Sequence, residues 1–133
     1  MIFVDTSALY ALADRADRNH DEARLRFSAV LNAAEDLLTH NYVLVESIAL
    51  IQNRIGTAAA LDLARTADNF EIEWVDAKLH QEAIRALARS PKRRISFVDQ
   101  VSFLVMRGRS VETALAFDRD FEREGFRKYS AIE

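Results

Sequence analysis

Hydrophobic positions along this chain follow two rhythms. Ile2-Phe3-Val4 and Leu37-Leu38-Thr39 are short continuous apolar runs, and residues 113–117 form a third. Runs of that length bounded by polar residues predict buried strands. Phe70-Glu71-Ile72-Glu73-Trp74-Val75 alternates strictly and predicts another strand. Helices fill the intervals. Asp5, Thr6 or Ser7 opens a short one to about Ala13, and Asn19 is placed to cap one over residues 20–33. Asn41 is placed to cap a helix to Ile55, where Gly56 supplies the stop, and Thr57 starts another to about Ala67. Asp76 caps a helix to about Arg89 whose stripe is Leu79, Ala83, Ile84, Leu87 and Ala88, and Pro91 ends it. Ser96 opens a helix to about Arg107. Asp118 to Arg123 reads as a helical turn, Gly125 as a break, and residues 126–129 as a last strand.

Strands alternating with helices argue for a parallel sheet covered by helices on both faces. In such sheets ligands bind beyond the carboxyl ends of the strands. The whole chain, residues 1–133, reads as one domain without linker, repeat or low-complexity segment. No apolar run is long enough to span a membrane, and the first residues lack the basic start and cleavage site of a signal peptide. With no cysteine, disulfides and thiolate-held zinc or iron–sulfur sites are excluded. These features together make the cytoplasm the expected compartment.

Four carboxylates interrupt the apolar pattern. Asp5 ends Met1-Ile2-Phe3-Val4, and Glu46 lies within residues 42–51, otherwise almost wholly apolar. Asp99 lies within the apolar stretch 95–106, and Asp118 closes Ala114-Leu115-Ala116-Phe117. Most of the 21 acidic residues sit in mixed-charge, surface-like stretches, whereas these four lie where the pattern asks for core. A buried carboxylate is costly unless it is paired, hydrogen-bonded, neutralised or bound to a metal. With no Lys or Arg close by in sequence around Glu46 or on the Asp5 run, a hard divalent cation is the obvious neutraliser. Each acid also has a plainer reading. Asp5 and Asp118 can cap helices, Ser96-x-x-Asp99 fits a capping box with Asp in place of Glu, and Glu46 can be an exposed position. Capping does not explain why all four should reach one end of a parallel sheet. Convergent carboxylates suit Mg²⁺ or Mn²⁺, and metals so held activate water and stabilise a transferring phosphoryl group.

The ordered set Val4-Asp5-Thr6-Ser7-Ala8-Leu9, Asn41 to Glu46, Ile95-Ser96-Phe97-Val98-Asp99 and Ala116-Phe117-Asp118-Arg119-Asp120-Phe121 with Gly125-Phe126 resembles the PIN-domain nucleases, and within them the VapC toxins of toxin–antitoxin pairs. The resemblance covers essentially the whole chain. It implies a three-layer α/β/α PIN-like fold with a central parallel sheet and a Mg²⁺-dependent endoribonuclease in which Mn²⁺ can substitute. Asp5, Glu46, Asp99 and Asp118 would then be both catalytic residues and metal ligands, with Ser7 supporting Asp5 by a hydrogen bond. Asp120 counts as peripheral, because family members vary at the corresponding place. The implied partners are an RNA substrate and a small antitoxin protein. The alternative is a protein of the same fold without a toxin role, either an RNA-processing nuclease or a catalytically silent RNA-binding module.

Charge and the remaining motifs change this little. The net charge of -3 does not advertise nucleic-acid binding, but Lys92-Arg93-Arg94 is a local basic triplet ahead of the Asp99 helix and a candidate RNA contact. His20, His40 and His80 lack a mutual metal-ligand spacing, and His40 reads as a surface residue. No G-x-S-x-G elbow or phosphate-binding glycine loop is present. A haloacid-dehalogenase-like phosphatase would want a second Asp where Ser7 stands. Leu44, Ile48, Ile51, Ile55 and Leu61 exceed what one core-facing stripe uses, which predicts a homodimer through that face.

Overall fold

The computed structural model describes residues 1–90 and 95–130. Its elements follow in the order β1 (Ile2–Val4), α1 (Thr6–Ala13), α2 (His20–Asn32), β2 (Leu37–His40), α3 (Asn41–Arg54), α4 (Thr57–Ala67), β3 (Glu71–Glu73), α5 (Ala77–Ala88), α6 (Phe97–Gly108), β4 (Thr113–Leu115), α7 (Asp120–Arg123) and β5 (Arg127–Lys128). The five strands form one sheet in the order β3-β2-β1-β4-β5, and every pairing is parallel. The fold is the expected three-layer α/β/α arrangement. The order reverses direction at β1, so a crevice opens between the carboxyl ends of β1 and β4.

The central strands carry the core. Phe3, Val4, Leu38 and Leu115 are fully buried, as are Leu9 of α1, Ile51 of α3 and Met106 of α6. Helix α1 packs against α2, α3 and α4, and α5 packs against α6. An aromatic column of Phe3, Phe121 and Phe103 runs through this core, with the Phe121 and Phe103 rings edge-on at 5.1 Å.

Local chemistry sets most boundaries. The Asp76 carboxylate accepts the Leu79 N–H at 2.8 Å and starts α5. The Ser96 hydroxyl accepts the Asp99 N–H at 3.1 Å and starts α6. Gly56, with φ of 142°, makes the turn between α3 and α4 that a side chain would strain. Helices α2 and α6 end instead on Ala34 and Ser110, left-handed at φ of 54° and 55°.

Several expectations are corrected. Asn41 does not cap α3. The Nδ1 atom of His40 accepts the Val43 N–H at 3.3 Å, while the Asn41 side chain accepts the Val75 N–H at 2.6 Å. The expected surface residue His40 is therefore a fully buried cap. Strand β4 stops at Leu115 instead of Phe117: the Phe117 N–H is taken by the Ser7 hydroxyl at 3.0 Å and not by a strand carbonyl. Helix α7 begins at Asp120, not Asp118. Of the supposed apolar surplus, Leu44 and Ile51 are core and Ile48 is half-buried, so only Ile55 and Leu61 are exposed. The triplet Lys92-Arg93-Arg94 lies outside the described residues.

Candidate metal and active site

Asp5 follows β1 directly and is buried. Its carboxylate accepts the Ser7 N–H at 3.1 Å and the Ser7 hydroxyl at 2.7 Å. The same hydroxyl oxygen accepts the Phe117 N–H at 3.0 Å, so Ser7 ties the residue after β1 to the segment after β4. The supporting bond expected of Ser7 is present. Asp118 lies one residue beyond Phe117, and its carboxylate accepts the Asp120 N–H at 3.2 Å. Asp99 projects from the first turn of α6.

Among the described residues, Asp99, Asp118 and Asp120 come together, each offering a carboxylate oxygen within 4.8 Å of the others. Asp120, peripheral in the sequence reading, belongs to this group. The Asp118-x-Asp120 spacing just after a buried run was the available signal. Asp5 lies against the group: the Asp118 charge acts on it, and its own charge acts on Asp99. Glu46 departs most from expectation. Val43, Leu44, Ser47 and Ile51 form the inner face of α3, and Val45 and Glu46 are exposed. An almost uniformly apolar helix sequence concealed a solvent-facing position. Glu46 still acts on Asp99 through its charge.

Electrostatics follow from this crowding. Burial pushes the Asp99 carboxyl up to about 8, and the charges of Asp5, Asp118, Asp120 and Glu46 add to the effect. Burial and the Asp118 charge push Asp5 up to about 6, against the opposing pull of the Ser7 hydrogen bonds. Asp118 is also raised, mainly by burial, while the Asp120 N–H and the Lys128 ammonium pull it down. Lys128 therefore borders the site, a position set by the parallel pairing of β5 on β4 and invisible to local sequence. Carboxylates held this close favour protonation or a cation. A set made wholly of oxygen donors fits the hard ions Mg²⁺ and Mn²⁺. Such a cation would be held by Asp99, Asp118 and Asp120, with Asp5 beside them.

Comparison with known proteins agrees with this geometry. The PIN domain matches residues 2–126. In two strains of Mycobacterium tuberculosis, the 23S rRNA-specific endonuclease VapC20 is 38% identical over 128 residues, spanning 95% of each chain. The crystal structure of Mycobacterium tuberculosis VapC20, described as a sarcin-ricin loop cleaving toxin, superposes with a TM-score of 0.82 at 38% identity, covering 95% of this chain and 96% of that one. Fold, acidic crevice and sequence agree: the chain belongs to the PIN-domain family.

Proposed function

We propose that this protein is a divalent-metal-dependent endoribonuclease and the toxin of a toxin–antitoxin pair. The observation that carries the reading is the carboxylate group at the carboxyl end of a parallel sheet, in a chain 38% identical to an rRNA endonuclease toxin. The bound cation would supply water activation and stabilisation of charge on the phosphoryl group. The chain's own residues position that chemistry. Asp99, Asp118 and Asp120 present their oxygens to one point. Ser7 holds the Asp5 carboxylate with two hydrogen bonds and orients it toward Asp118. Glu46 adds negative charge from the solvent side and is suited to reach the site through water. Lys128 and the triplet Lys92-Arg93-Arg94 supply positive charge for the RNA backbone. The substrate named for VapC20 makes ribosomal RNA the first to test. A small antitoxin protein is the expected restraint, and a homodimer the expected assembly.

The experiment is cleavage of ribosomal RNA with Mg²⁺, with Mn²⁺ and with chelator, by the native chain and by Asp99→Asn. Metal-dependent cleavage lost in Asp99→Asn, with the fold retained, supports the reading. RNA binding without cleavage under every condition points to the silent binding module instead.

A further inference from the structure

His40 is fully buried at the end of β2, and both of its ring nitrogens are engaged. Nδ1 accepts the Val43 N–H at 3.3 Å, so the ring proton belongs on Nε2. Nε2 lies 2.9 Å from the hydroxyl of Ser102, which is also fully buried. The Ser102 hydroxyl donates its own proton to the Val98 carbonyl at 3.0 Å and is left to accept from His40. The chain of bonds thus runs from the first turn of α3, through the imidazole, into the first turn of α6. Glu46 follows Val43 by three residues on α3, and Asp99 is the neighbour of Val98 on α6. Two rings flank the imidazole: Phe3 lies 5.8 Å away, and Tyr42 stands edge-on at 6.1 Å.

Apolar packing resists separation of two helices but is non-directional, so it fixes their sliding only weakly. A hydrogen bond in a dry site is directional, and breaking it strands a buried polar group. We propose that the His40–Ser102 pair is a positioning device that sets α6 against α3, and thereby the placing of Asp99 beside Glu46 and the other acids. His40 touches no substrate or metal; it acts through the two helix starts. The assignment rests on the metal-dependent reading above.

The test is a double-mutant cycle of His40→Asn and Ser102→Ala, read as Mn²⁺ affinity by titration calorimetry and as melting temperature. Ser102→Ala suits a helix interior and keeps the fold. The core variant Val30→Ala, on α2, serves as the control for simple destabilisation. The expected result is Mn²⁺ binding about tenfold weaker in each single variant, no further loss in the double variant, and unchanged affinity in Val30→Ala. Native-like Mn²⁺ affinity in Ser102→Ala overturns the positioning role and leaves the nuclease reading intact. Affinity lost equally in Val30→Ala overturns it as well, by reducing the effect to stability. A native chain that binds no Mn²⁺ overturns both the pair's role and the metal-dependent reading.

Discussion

At the scale of single residues, protons decide the behaviour of the metal-free protein. Asp99 titrates near 8 in the fold and 3.8 outside it, and Asp5 near 6. Between those limits the folded chain holds protons the unfolded chain has released, so both groups make stability fall as pH rises. His40 works in reverse. Burial lowers it from 6.5 to about 3, so it contributes stability that is present above 6.5 and lost as pH falls toward 3. Above pH 6.5 the carboxylates dominate among these shifted groups. The melting temperature of the metal-free chain should therefore drop from pH 6.5 to about 8. Mn²⁺ should remove the drop by replacing the protons, and Asp99→Asn should flatten it. Calorimetric melting across that range with chelator and with Mn²⁺ checks the sign; a metal-free protein that grows more stable would contradict it. Asp5→Asn should likewise raise metal-free stability at pH 8, since it relieves repulsion within the cluster.

At the scale of elements, short pieces depend on a few contacts. Helix α7 has four residues and is anchored by Phe121, which is buried against Phe3 and Phe103. Phe121→Ala should cost about 3–5 kcal/mol in denaturant unfolding. Because Asp120 precedes Phe121, Mn²⁺ binding should weaken with it. Ala34→Gly and Ser110→Gly remove left-handed strain at the ends of α2 and α6, and each should stabilise by about 1 kcal/mol. The same scale shows what sequence patterning can deliver. Element order and type were legible because apolar runs, the Asp76 and Ser96 caps and Gly56 are local signals. The carboxylates Asp5, Asp99 and Asp118 were legible because each interrupts a core-like run. His40 was not, since its partner Ser102 lies 62 residues away and no local pattern announces the pair. Lys128 was missed for a similar reason, since its place depends on how β5 pairs with β4, whereas Asp120 was read as peripheral despite the local Asp118-x-Asp120 spacing. The exposure of Glu46 was hidden because α3 carries apolar residues on its outer face too.

At the scale of the whole molecule, metal and self-association set the balance. A cation that binds only the folded chain should stabilise it by about 2.7 kcal/mol at one hundred times its dissociation constant. On the outer surfaces of α3 and α4, Val45 is 65% exposed, Ile55 44% and Leu61 50%. The proposed dimer should sediment as such, and Leu61→Glu should shift it toward monomer; an unchanged monomer in both preparations would remove this face as an interface. The sheet order carries a further consequence, one of timing. Phe3 of β1 pairs with Ala114 of β4 across almost the entire chain, and Asp118 and Asp120 come later still. A chain emerging from the ribosome therefore exposes Asp5 well before β4, Asp118 and Asp120, and nothing completes the acidic crevice until those residues follow. Nascent or prematurely terminated copies lack the crevice's second wall. A protein with the proposed appetite for ribosomal RNA is thus disarmed until β4 and the Asp118–Asp120 segment have been made.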